Sequence, residues 1–154
     1  DEDRKKFLIL LEQCVHEVLK ITPEYFDGLD LKRELLWKQD KNNEALEISK
    51  NITKLLPTKW ESWNSLGVAY SKINNQEESL KYFEKGLKIK PNEDLLWYNK
   101  ACTLSEMNKV DDALDALFVA ISIDPENLLQ ISDDSDFDNI KNSERFKKFL
   151  TIPV

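Results

Sequence analysis

Apolar residues in the middle of this chain recur at the spacing of a single helix face. Trp63, Leu66, Gly67 and Tyr70 fall at i, i+3, i+4 and i+7, which places them on one stripe of an α-helix. Ser79, Phe83 and Gly86 form a matching stripe further on, where small residues admit the large side chains of a neighbour. The segment between the stripes, Ile73-Asn74-Asn75-Gln76, is short enough to force the two helices antiparallel, and Met107-Asn108-Lys109-Val110 predicts a second such turn. Pro91 and Pro125 end the second helices, because proline restricts the residue before it to extended geometry. No segment combines strict apolar and polar alternation with hairpin signals, so no sheet is expected.

The helical pattern repeats. Pro23, Pro57, Pro91 and Pro125 stand 34 residues apart, as do Trp63 and Trp97. On the same ruler Gly67 maps onto Ala101, Tyr70 onto Leu104, Ser79 onto Ala113, Phe83 onto Leu117 and Gly86 onto Ala120. A fixed period of this length marks stacked supersecondary units and hence a helical solenoid. The run Trp63-x-x-Leu66-Gly67-x-x-Tyr70, continued by Ser79, Phe83, Gly86 and Pro91, resembles the tetratricopeptide repeat (TPR) family. That resemblance implies an all-α, right-handed superhelical α-solenoid of antiparallel helix pairs with a binding role.

In this register the repeats are 26–59, 60–93 and 94–127. The first departs most: Leu29 replaces the tryptophan and Arg33 occupies the small-residue position, while Ala45 and Pro57 match. Residues 1–25 read as half a repeat or an N-terminal helix, with Leu11, Val15 and Val18 as packing residues. Either the chain is cut from a longer protein or this helix caps the array. Residues 128–154 read as a short C-terminal helical cap in which Phe137, Ile140, Phe146 and Leu150 seal the last repeat. This stretch resembles an Asp-x-Asp-Phe-Asp…Arg-Phe-x-x-Leu segment that often follows TPR arrays, with Glu144 where that segment often has proline. The whole of 1–154 is expected to form one domain, as its length and 41% hydrophobic content allow.

Charge narrows the function classes. The net charge is −7, and the basic residues are interspersed with acids, so the concentrated basic face that nucleic acid requires is absent. No run approaches the length of a membrane span, and Asp1-Glu2-Asp3-Arg4 does not open like a signal peptide, so a cytoplasmic protein without membrane contact is expected. Cys14 and Cys102 are isolated in sequence and read as free thiols.

Candidate chemistry is sparse. Asp134-x-Asp136-x-Asp138 imitates the opening of a calcium loop, yet the sixth position is Asn139 and the twelfth is Arg145, where glycine and a bidentate glutamate are needed. These carboxylates are read as helix caps and solvated groups. His16 is the single histidine and has no cysteine at helical spacing. No phosphate loop, nucleophile elbow or His-Glu-x-x-His pair exists. No enzymatic role, cofactor or metal is expected.

A second face of each first helix lies roughly 120° from the packing stripe. The family resemblance makes this face the lining of a concave groove. It carries the role to Asp27, Asp30, Glu34, Trp37 and Lys38, then Glu61, Asn64, Val68, Ser71 and Lys72, and finally Leu95, Tyr98, Cys102, Ser105 and Glu106. Chaperone-binding members of the family clamp a terminal carboxylate with lysine, asparagine and arginine, but the corresponding residues are Asp30, Glu34, Ser65, Leu95 and Asn99. An acidic groove instead suits a protein or peptide with basic or mixed basic and apolar residues. The expected function is therefore a non-catalytic interaction scaffold. Its alternatives are self-assembly into a homo-oligomer and a regulatory or docking role within a larger enzyme.

Overall fold

The computed structural model describes residues 2–131 and 133–151. The outermost positions of the expected N-terminal and C-terminal segments, together with residue 132, lie outside the described residues. All regular structure among the described residues is helical. The chain divides into two compact units, Asp1–Pro57 and Thr58–Val154.

The first unit holds α1 (Glu2–Ile21), α2 (Phe26–Lys38) and α3 (Asn42–Leu55). The second holds α4 (Trp60–Lys72), α5 (Gln76–Ile89), α6 (Asp94–Glu106) and α7 (Val110–Ile123). A 3-10 turn at Pro125–Asn127 then leads into α8 (Leu128–Ile131), a second 3-10 turn at Ser135–Phe137 and the short α9 (Glu144–Phe149).

Each helix pair is turned by the same device. Asp40, Asn74 and Asn108, spaced on the 34-residue ruler, all have φ 57. Asn and Asp tolerate this left-handed region better than other side-chain-bearing residues. The residue after each donates its N–H five residues back: Lys41 to Leu36 O, Asn75 to Tyr70 O and Lys109 to Leu104 O, at 2.9, 3.0 and 2.9 Å. Those bonds satisfy carbonyls that a helix end otherwise leaves open. Asn75 also caps α5 by accepting from Glu78 N at 3.3 Å.

Close helix approach follows from the small residues. A Cβ on Gly67 would lie 2.5 Å from the Phe83 ring, and one on Gly86 would lie 2.9 Å from Leu96. Phe83, Leu87 and Leu96 form a buried cluster between α5 and α6. Ala101, Ala113, Leu117 and Ala120 are fully buried between α6 and α7. In the first repeat the volumes are exchanged. Arg33 stands at the Gly67 position and Ser49 at the Phe83 position, both buried, so one large and one small residue still occupy that pair of sites.

The C-terminal segment covers the last helix pair. Phe137, Ile140 and Phe146 are buried in one cluster with Tyr98, Cys102, Leu104, Leu114 and Leu117. Ser143 starts α9 by accepting from Phe146 N at 3.1 Å. Leu150 departs from the expected seal: it is exposed, because α9 ends at Phe149, and Phe149 packs against the cluster instead. Val18 departs too, at 41% exposure, since α1 meets α2 through Val15 and Leu19. Gly28 provides the room there, as a Cβ at that position would lie 3.1 Å from Leu19.

Candidate functional site

The second face of α4 and α6 is positioned by the stripes that pack these helices on α5 and α7. Asn64, Val68, Ser71 and Glu61 are half-buried on α4, and Lys72 is exposed at its end. Asn99 Nδ2 donates to Asn64 Oδ1 at 2.8 Å and ties α6 to α4. Glu106 Oε2 accepts from Ser71 Oγ at 3.2 Å and from Gln76 Nε2 at 3.1 Å. A recess of about 430 Å³ lies between them, lined by Val68, Phe83, Asn99, Cys102, Glu106 and Asp136 among others. One oxygen of Glu61, Oε2, is buried without a hydrogen-bond partner.

The α6 end of the expected face is filled by the chain itself. Tyr98, Cys102 and Ser105 are buried, and of the three Cys102 lines the recess. Tyr98 donates its hydroxyl to Asp134 Oδ2 at 2.6 Å, and its ring meets Phe137 edge-on, with centroids 5.7 Å apart. Asn139 Nδ2 donates to the carbonyls of Ser105 and Glu106, each at 3.4 Å. Leu95 stays exposed at the start of α6. Residues 134–139 thus cover the part of this face that Tyr98 occupies. The Asp-x-Asp pattern was the available signal, since Asp134 accepts from Asp136 N at 2.9 Å and thereby turns its second oxygen towards Tyr98.

In the first unit Asp27, Glu34 and Lys38 are exposed and Trp37 is half-buried. Asp30 is not a free acidic contact: it pairs with Arg33 at 2.7 Å, and Arg33 lies over the Trp37 ring at 4.5 Å. Burial raises the Asp30 carboxyl above its ordinary pKa despite the Arg33 charge, with Glu34 and Asp27 adding to the rise. Burial likewise lowers the Arg33 guanidinium.

The three carboxylates of the calcium-like run do not converge. Asp138 pairs with Lys141. Asp134 and Asp136 gather with Cys102 within 4.8 Å. Burial, then the charges of Asp136 and Asp134, pushes the Cys102 thiol well above its ordinary value, so this sulfur is held protonated.

Comparison with known proteins fits this architecture. A sequence profile of the Tetratricopeptide repeat family matches residues 60–93, the bounds set by the spacing of Trp63 and Pro91, and a second profile of that family matches residues 82–115. The chain is a TPR protein. It is similar to solved structures of MamA, one with TM-score 0.67 at 21% identity over 96% of this chain and 91% of that one. Among curated proteins it is 33% identical over 87 residues to a chloroplastic protein of Arabidopsis thaliana, 54% of this chain and 26% of the relative. It is 25% identical over 116 residues to an N-terminal acetyltransferase A complex subunit-like protein of Schizosaccharomyces pombe, 75% of this chain and 17% of the relative. The chain thus spans about a quarter or less of the length of these curated relatives. Its TPR repeats make it a protein-interaction scaffold in general terms. Among the described residues no helix is long and apolar enough to cross a membrane.

Proposed function

We propose that the α4–α6 face of the TPR array holds an extended segment of a protein partner carrying basic and apolar residues. The carrying observation is Glu61, whose buried Oε2 has no hydrogen-bond partner. Glu61 is half-buried and already interacts with the Lys90 charge, so a ligand amine or guanidinium at its accessible edge meets a partly desolvated carboxylate whose attraction is less screened than that of an exposed acid. Glu106 in the lining of the recess offers a second carboxylate, and Val68 with Phe83 offers apolar contact beside it; Glu61 lies on α4 outside that lining. The Asn64–Asn99 pair keeps further amide capacity for the backbone of an extended chain.

A fluorescein-labelled peptide of alternating lysine and leucine is a direct probe. Binding is expected to weaken about ten-fold in Glu61→Gln, and less in Glu106→Gln, which keeps its acceptor oxygen for Ser71 and Gln76. Both losses should shrink at high salt, because partly exposed charges are screened over about 8–10 Å. If the probe does not bind the parent, or binds both variants as tightly as the parent, this face is not the site.

A further inference from the structure

The second unit builds one aromatic site in full and then repeats it without its rings. In α4 and α5 the Tyr82 ring stacks on both Trp63 and Tyr70, with centroids 5.9 and 5.2 Å apart and planes within 16°. Lys81 and Lys85 lie over the Tyr82 ring, at 5.5 and 5.0 Å from its centroid. Lys81, and after it the Tyr82 hydroxyl, holds the Glu78 carboxylate below its ordinary pKa.

One period further on, α6 and α7 keep the tryptophan and lose both phenols. On the 34-residue ruler Trp97 stands for Trp63, Leu104 for Tyr70, Ala116 for Tyr82 and Asp112 for Glu78. Where the chain's own rings fill the first site, the second is open: Trp97, Leu104, Ala116, Val119 and Asp112 are among the residues that line a recess of about 520 Å³. Its walls come from α5, α6 and α7, so the recess lies wholly within the second unit.

The walls are already fixed. Trp97 donates its Nε1–H to Pro91 O at 2.8 Å, and Lys100 lies 5.3 Å from the Trp97 ring centroid while pairing with Glu84 at 3.4 Å. Arg145 holds Asp115 at 3.2 Å. Asp112, exposed at the rim, is the lining carboxylate without an ion pair among the described residues. We propose that this recess takes the side chain of a tyrosine from a protein partner, its ring against Trp97 and Leu104 over Ala116 and its hydroxyl donating to Asp112.

Tyrosine fits on both counts. Its ring buries about 150–250 Å² of surface, and its hydroxyl requires a hydrogen-bond partner once desolvated. A phosphorylated tyrosine would bring its charge against Asp112, Asp115 and Glu84, and is disfavoured. This recess shares no lining residue with the one on the α4–α6 face, so either proposal stands if the other fails.

N-acetyl-tyrosinamide is the probe, titrated into protein carrying labelled alanine methyl groups and followed by NMR. The Ala116 methyl signal should shift saturably under the ring current, with an affinity of about 1 mM, together with the Trp97 indole N–H. The phenylalanine analogue should bind about three-fold more weakly, and the O-phosphotyrosine analogue at least about ten-fold more weakly. Asp112→Ala should bring the tyrosine and phenylalanine probes to equal affinity. Ala116→Tyr supplies the missing ring from the chain and should abolish binding. Val119→Phe, at a half-buried position in the lining, should weaken it at least about five-fold with helix content unchanged by circular dichroism, which keeps the test intact if Ala116→Tyr does not fold. No saturable shift at Ala116, equal affinity of the parent for all the probes, or undiminished binding in Val119→Phe would each overturn the proposal.

Discussion

Gly67 sets the distance between α4 and α5, because the Phe83 ring occupies the space where any side chain would begin. Phe83 is 1% exposed and has nowhere to withdraw. Gly67→Ala, ordinarily favourable within a helix, should therefore destabilise by about 1–3 kcal/mol through overpacking, as urea unfolding would measure. Ala101, fully buried on the same ruler, should respond similarly to Ala101→Leu, while Lys100→Leu should leave the midpoint nearly unchanged. A second residue-scale expectation concerns alkaline pH. Burial, followed by the hydrogen bond to Asp134, raises the Tyr98 pKa, and burial followed by the charges of Asp136 and Asp134 raises that of Cys102. The fold thus prefers both groups neutral. Their stabilising contribution is fully present below the ordinary values of 10.0 and 9.0 and is lost as pH rises towards the higher folded values. The melting temperature should fall from about pH 9 upwards. A Tyr98→Phe, Cys102→Ala double variant, which lacks both ionisations, should show a flatter alkaline limb, and an unchanged slope would show that other groups control it.

The helical elements and the register of the repeats were legible in the sequence because their determinants are local: the stripe of Trp63, Leu66, Gly67 and Tyr70, the turn asparagines and the prolines. Less legible were features in which one residue compensates for another at a distance. Arg33 looked like a violation of the small-residue position, since its exchange with Ser49 is visible only when both are placed in the same helix pair. The groove role of Tyr98 is implied by the family resemblance, and no periodicity links it to the segment 36 residues away that covers it. That segment behaves as one element with α6 and α7, and its keystone is Phe137, which is fully buried between the Tyr98 ring and Phe146. Phe137→Ala should cost about 3–5 kcal/mol by leaving a cavity that the short 3-10 turn cannot close. Removing residues 134–154 should expose the same apolar flank and cause association, which light scattering would detect. A truncated chain as stable and monomeric as the parent would make this segment a tether and not a cover.

At the scale of the whole molecule the two units differ in what holds them. The second buries aromatic and aliphatic residues in continuous clusters, among them Phe83, Leu96, Leu117, Phe137, Ile140 and Phe146. Buried positions of the first include Ala45, Ser49 and Thr53 beside Leu29 and Ile52, and it encloses Arg33, whose Nε has no hydrogen-bond partner. A buried guanidinium recovers only part of its desolvation from one ion pair, so Asp30 and Arg33 together weaken the unit they belong to. Local opening follows local stability in repeat proteins, where each unit depends on its own packing and on its neighbours. Native-state hydrogen exchange should therefore find the amides of α2 and α3 opening at least about ten-fold more often than those of α5, α6 and α7. Lowering the pH towards the raised Asp30 pKa should narrow that difference, because a group whose folded pKa is raised stabilises most when protonated. Equal protection across both units at neutral pH would mean instead that residues 1–154 open as one cooperative block. The buried Arg33 would then be supported by coupling between repeats and not by the contacts of its own helix pair.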